Sequence, residues 1–295
     1  MKAAFITMPF PGVRRVGEEG AKLGLWELVL LEGGRVAIPP ADLYILGAYH
    51  PVYQAQILGA LAGQRVGVCW TSSAAEMELN APVEFDYLQK VLADPRIAFV
   101  WFGDPGLAQV FDQKAWYYPY PLDFRPQPPA DKRDVLTLFC PDKPSKNIFT
   151  QLLAVAIIQQ KRPELVLHTN VGDLRGLEKR LNVVQHPWLP RPEYDQLLAA
   201  ARLNLAVSHA ETMCYQAAEA VMLGTPSLMS PAVPWAPLTC PPNDATIMGD
   251  PTLLWLDYPE EFLQEQRQAL ARYAAGFDPQ EWQGFCLDRP VPQPL

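Results

Sequence analysis

Short, largely apolar runs alternate with amphipathic stretches along most of the chain. The runs over 2–7, 42–46, 65–70 and 97–102 predict strands. Stretches with helical spacing over 18–31, 52–61, 84–92 and 105–111 separate them, the first closing at Gly33-Gly34. Residues 9–15, with Pro9, Pro11 and Gly12, predict a loop, and 71–80 a polar connection. The alternation breaks at 117–124, and the proline-rich, charged segment 125–134 predicts a linker. It then restarts. Strands are predicted over 135–140, 165–169, 183–186, 203–207 and 225–229, and helices over 145–160, 174–181, 191–201 and 214–223. A long helix over 259–275 and a short piece over 280–287, carrying Trp282 and Phe285, close the pattern. Strands that read as continuous apolar runs between helices belong to parallel sheets covered on both faces. The expected fold class is α/β: two Rossmann-like domains in tandem, 1–125 and 126–278. Ligands of such sheets bind beyond the carboxyl ends of the strands, here in an interdomain cleft.

Composition narrows the function. A length of 295 residues suits about two domains. The formal charge of −8 disfavours a general nucleic-acid or anionic-membrane surface. No apolar run approaches the ~20 residues that span a bilayer, and 1–7 meets Pro9 too soon for a signal peptide. The five cysteines are scattered and never paired as Cys-x-x-Cys, which predicts reduced thiols, no zinc site and a cytoplasmic setting. The 31 prolines are expected in loops.

One stretch concentrates the candidate chemistry. Ser208-His209-Ala210-Glu211-Thr212-Met213-Cys214 joins a predicted strand to a helix that holds Glu219 and ends before Gly224 and Pro226. Seven residues separate the two glutamates. Glu211 falls in the loop and Glu219 in the helix, and the helix N-terminus between them suits a phosphate. Carboxylates accept hydrogen bonds from hydroxyls, so the pairing fits a sugar nucleotide.

Glu211-x7-Glu219, with Ala220 and then Gly224-Thr225-Pro226, resembles the nucleotide-sugar signature of group 1, glycogen-synthase-like retaining glycosyltransferases. The resemblance runs from about 118 to 228. Tyr118-Pro119-Tyr120-Pro121-Leu122-Asp123-Phe124 is similar to that family's interdomain segment, and Lys146-Asn147 to its lysine at a helix start. Val183-Val184-Gln185-His186, Pro192-Glu193-Tyr194 and Ser208 fall at its base-binding strand, following helix start and serine. The resemblance implies the GT-B architecture. In it, 1–125 is the acceptor-side domain, 126–278 binds the nucleotide-sugar donor, and 279–295 packs back on the first domain.

It also implies roles. Glu211 would contact donor-sugar hydroxyls and Glu219 the ribose. The Met213 and Cys214 amides, beside Thr212, would meet the diphosphate, with Lys146 neutralising it and Lys143 standing in for an arginine that here falls near Pro141. Gly12 is similar to the glycine that approaches the donor phosphates, and His186 lies on the base-binding strand. Three departures stand out. Thr212-Met213-Cys214 replaces Gly-Phe-Gly, Trp70-Thr71 occupies the place of a histidine, and the first domain is short. Acceptor-side candidates are His50, Trp70, Thr71 and Arg14.

The activity implied is transfer of a sugar from a UDP- or GDP-linked donor to a small-molecule, glycan or lipid-linked acceptor, with retention. Lys146, Lys143 and the helix N-terminus would stabilise the leaving diphosphate without a metal, and no Asp-x-Asp occurs. No other cofactor is expected. Two alternatives stay open: transfer to modified DNA bases, facing Arg14-Arg15 and 71–80, and a non-catalytic nucleotide-sugar or glycan-binding protein.

Overall fold

A computed structural model describes residues 1–31, 37–47, 57–80, 83–111 and 114–288. The chain divides into two compact units, Met1–Asp123 with Tyr273–Leu295, and Phe124–Arg272. The boundary falls at 123/124, and the first unit takes back the chain from 273 rather than from 279.

The first unit is built on six parallel strands: β1 (Ala3–Thr7), β2 (Glu27–Leu30), β3 (Leu43–Leu46), β4 (Val66–Trp70), β5 (Phe99–Phe102) and β6 (Ala115–Tyr117). Their spatial order is β2-β1-β3-β4-β5-β6. The connection order reverses between β1 and β3, and this switch point is where a doubly wound sheet binds ligands. Helices α1 (Pro11–Lys22), α2 (Ala74–Asn80), α3 (Val83–Ala93) and α4 (Pro105–Val110) belong to this unit.

Two expectations fail here. The loop at 9–15 and helix at 18–31 are instead α1 followed by β2. Pro11 pre-sets the first helical φ. Gly24, at φ 71°, ends the helix: its amide donates to the Ala21 carbonyl and that of Leu25 to Gly20. Trp26 then folds back over the helix, and its indole donates to the Gly17 carbonyl at 2.8 Å. A Cβ at Gly20 would meet that indole at 1.9 Å, so glycine is required there. The polar connection at 71–80 holds α2, which Ser73 caps through the Glu76 amide at 3.1 Å. The predicted helix at 52–61 is seen as helix at 57–60, and 52–56 lie outside the described residues.

The second unit has five parallel strands: β7 (Val135–Leu138), β8 (Val166–Thr169), β9 (Val183–Gln185), β10 (Leu203–Ala206) and β11 (Ser227–Met229). Their order is β11-β10-β7-β8-β9, with the switch between β7 and β10. Helices α5 (Ile148–Lys161), α6 (Arg191–Ala200), α7 (Tyr215–Met222), α8 (Ala245–Asp257) and α9 (Pro259–Ala275) follow; the last three residues of α9, from Tyr273, and α10 (Pro279–Asp288) belong to the first unit. The helix expected at 174–181 is a run of turns, because Arg175 and Gly176 adopt φ of 57° and 81° and break the helical path. Helix α8 escaped prediction, since Gly249 and Pro251 interrupt its pattern. Prolines begin α1, α4, α9 and α10: those of α4 and α9 stand at predicted helix starts, whereas Pro11 was expected in a loop. Among the described residues no helix is long and apolar enough to cross a membrane. All five cysteines are free thiols and buried.

Candidate functional site

Two loops leave neighbouring strands at the switch point of the second sheet. After β7 the chain passes Cys140, Asp142 and Lys143 into a 3₁₀ turn, Pro144–Lys146, ahead of α5. After β10 it passes Ser208, His209 and Glu211 into α7. The loops are tied to each other. The His209 amide donates to the Ser145 carbonyl at 2.7 Å. Gln151, buried in α5, donates to the Lys146 carbonyl and accepts from the Val207 amide at 2.7 and 2.9 Å. Ser230 donates to the Ser208 carbonyl at 2.5 Å.

This scaffold brings the two predicted catalytic residues together. Lys146 Nζ lies 2.7 Å from Glu211 Oε1, and both side chains are largely buried. Ser208 Oγ donates to the same oxygen at 2.7 Å. Lys146 stands just ahead of a helix start, where a cation opposes the dipole, so a carboxylate partner accounts for its place. Burial pushes the Cys140 thiol up to about 12, Lys146 only partly offsetting it, so this neighbour stays a thiol at neutral pH. Burial also raises the Cys214 thiol and lowers the His209 imidazole from its ordinary value.

The segment 212–214 differs from the sequence expectation in one respect. The helix begins at Tyr215, and Cys214 is its N-cap, in the left-handed region at φ 62°. That conformation favours glycine, and Cys214 stands where the signature that this stretch resembles has one. Thr212 and Met213 are buried, and the Trp235 indole donates to the Met213 carbonyl at 2.7 Å. The first amides of α7 have no acceptor within the helix, as in any helix. At the other end Gly224, at φ 87°, closes α7 in the predicted way, and a Cβ there would meet the Pro129 backbone at 2.7 Å.

Glu219 sits in the second turn of α7 and is buried. Its Oε1 accepts from Arg191 Nη1 at 2.7 Å, and the Tyr194 hydroxyl also hydrogen-bonds it. Neither Arg191 nor the contact was among the sequence candidates. The signal was present: Arg191 is the first residue of a helix, a place that disfavours a cation without an anion beside it.

His186 follows β9 and pairs with His168 of β8, Nδ1 of His168 lying 2.9 Å from Nε2 of His186 with the rings stacked. One ring donates and the other accepts. Phe139, after β7, lies against His186 at 6.0 Å between ring centroids. Lys143 lines a cavity of about 280 Å³ with Asp142, Asn147, Phe149, Arg175 and His209.

The remaining candidates belong to the first unit. Gly12 is exposed in the first turn of α1, and nothing lies within 4 Å of a Cβ built on it. Arg14 pairs with Glu18 at 2.7 Å on the same helix. Trp70 ends β4 with its ring buried in the core cluster, and Thr71, half-buried, follows. His50 lies outside the described residues.

No protein-family model matches the sequence, and no curated protein sequence matches it. Solved structures do. Anabaena HepE in complex with UDP-glucose superposes with a TM-score of 0.67 at 15% identity, covering 98% of each chain. A trehalose-phosphate synthase (UDP-forming) from Burkholderia vietnamiensis gives 0.64 at 11%, covering 97% of this chain and 98% of that one. A mutant of S. aureus TarM in complex with fondaparinux, α-GlcNAc-glycerol and UDP gives 0.66 at 11%, covering 83% of this chain. The present chain spans about half of TarM, 55% of its length. At these identities the likeness is one of fold. That fold is α/β with two Rossmann-like domains, the GT-B architecture expected from the sequence.

Proposed function

We propose that the protein is a glycosyltransferase that moves a sugar from a nucleoside-diphosphate donor to an acceptor hydroxyl, with retention at the anomeric carbon. The observation that carries this reading is the fixing of both carboxylates of the Glu211-x7-Glu219 spacing. Each has its own cation, and they lie on the two sides of the α7 start in sequence, after a strand at the sheet's switch point. UDP and UDP-glucose in structures of similar fold agree with it.

In this reading the diphosphate lies at the α7 N-terminus, near Lys146 and Lys143. The ribose meets Glu219, and Glu211 takes the sugar hydroxyls. As the bond from the anomeric carbon to the diphosphate oxygen breaks, charge collects on the leaving group. Lysine and aligned amides placed beforehand lower that barrier. The acceptor oxygen bonds to the anomeric carbon on the face the diphosphate leaves, and its proton passes to a departing phosphate oxygen. No protein base is needed for that step, and buried Trp70 in place of a histidine is compatible with it.

The test is an assay of nucleotide release from UDP- and GDP-sugars with candidate acceptors, with product configuration read by NMR. Transfer with retention, unchanged by EDTA, is expected. Inversion, or loss of transfer on chelation, would overturn the corresponding part. Absence of transfer from every donor that binds would overturn the whole.

A further inference from the structure

Arg191 is placed against local electrostatics. It is the first residue of α6, a ten-residue helix whose start no side chain caps, and the helix dipole there repels a cation. Its guanidinium is committed to carboxylates. Nη1 donates to Glu219 Oε1 at 2.7 Å and Nε to Asp195 Oδ2 at 2.8 Å. Asp195 is one turn along the same helix, so that contact is local. The Glu219 contact is not: it joins α6 to α7, the helices before and after β10.

Glu219 is 6% exposed, whereas the Arg191 side chain is 46% exposed. The arginine therefore reaches inward from a solvated position to hold a buried carboxylate. Burial works against the guanidinium's charge, and Glu219 and Asp195 more than offset it, so it stays protonated. Tyr194, three residues on, adds its hydroxyl to the same carboxylate. Its ring also lies under the guanidinium, 5.6 Å from centroid to Cζ. A carboxylate gripped in this way has few rotamers left, and a group ordered before binding loses less entropy when the ligand arrives.

We infer that Arg191 is a positioning residue that fixes Glu219 for reading the hydroxyls of a nucleotide ribose, and so sets a preference for ribonucleotides over 2′-deoxyribonucleotides. The inference rests on the proposed donor site, in which Glu219 receives the ribose. Arg191 acts through the carboxylate rather than on the reacting atoms.

Calorimetry with UDP, GDP and ADP identifies the nucleotide bound tightest, and its 2′-deoxy counterpart is then titrated. Wild type should prefer the ribose form by about tenfold or more, the worth of one hydrogen bond to a charged group. In Arg191→Ala the preference should fall to within about threefold, while affinity for the deoxy form changes little. Arg191→Lys keeps the charge without the planar fork, so an intermediate ratio is expected. In a Glu219→Gln background Arg191→Ala should have no further effect on the ratio. A merely structural arginine would weaken both nucleotides alike, and an unchanged ratio in Arg191→Ala and Arg191→Lys would overturn the inference while leaving the donor site intact. If Arg191→Ala does not fold, Arg191→Lys decides alone. Wild type binding none of the three nucleotides would overturn the donor reading and the inference with it.

Discussion

The two sheets are buried by different chemistry. In the first unit one region of the core is aromatic: Trp26, Trp101 and Trp282 have ring centroids 5.2–6.2 Å apart, joined by Phe5, Tyr120 and Phe277. Trp282 comes from α10, so residues late in the sequence complete a core begun by the earliest strands. In the second unit, polar side chains run through the core beside the apolar cluster. Thr137, Asn204, Ser227 and Gln266 are fully buried, and Asn204 accepts from Thr137 and Gln216 at 3.1 and 2.9 Å while donating to Ser227 at 3.0 Å. Gln266 of α9 closes the network on the Ser227 backbone at 2.9 and 2.6 Å. Gln216 belongs to α7, the helix that carries Glu219. Aromatic burial is strong but non-directional. A satisfied hydrogen-bond network fixes orientation as well as contact. The unit holding the candidate site thus uses the interaction that sets the angle of a helix.

Trp282→Ala tests this contrast most severely. Removing a fully buried tryptophan costs about 3–5 kcal/mol, read as a lower denaturant midpoint. Nucleotide affinity of the still-folded fraction should hold. Loss of that affinity would break the division of labour.

Asn204→Ala should cost about 2–3 kcal/mol, because Thr137, Gln216 and Ser227 each lose a partner. It should also weaken nucleotide binding in the folded protein. A stability loss with unaltered binding would show that the network does not orient α7.

The smallest effect concerns pH. Burial, and then His186, hold His168 below the ordinary imidazole range. As pH falls the unfolded chain takes up this proton first, so the contribution to stability is present above about pH 6.5 and is lost below it. Unfolding free energy from urea titration should be lower at pH 5.5 than at 7.5, and His168→Gln should reduce that difference. An undiminished difference would remove the pair from the account.

How much was legible follows from local physics. Continuous apolar strands announce a parallel sheet, and β4, β5, β7, β10 and the full extent of α9 lie close to their predicted places. Glu211 and Glu219 stand out because their spacing about a helix start makes a chemical pattern in one dimension, whereas Lys146 enters only through the family resemblance, and the structure sets it against Glu211. What escaped depends on contacts distant in sequence or on competing local signals. Trp26 folds over Gly20 and turns a predicted long helix into α1 and β2. The reversal at Arg175-Gly176 cancels a helix whose apolar spacing looked sound. Arg191 reaches Glu219 across 28 positions, and His168 meets His186 across 18. Ser73 three residues before Glu76, and a cation at the first position of α6, are sequence signals that the polarity of 71–80 and the periodicity of 191–201 mask.

If Glu211 and Glu219 form one nucleotide-sugar site, ligand-induced thermal stabilisation depends on both. Wild type, Glu211→Ala and Glu219→Ala are melted alone and with UDP, GDP and their glucose and mannose conjugates. A ligand at about 100 times its Kd stabilises the native state by ~2.7 kcal/mol, a clear rise in the midpoint. That rise is expected for wild type with at least one sugar nucleotide. Glu219→Ala should lose most of it with nucleotide and conjugate alike, and Glu211→Ala chiefly the increment due to the sugar. Full shifts in both folded variants would contradict the single site.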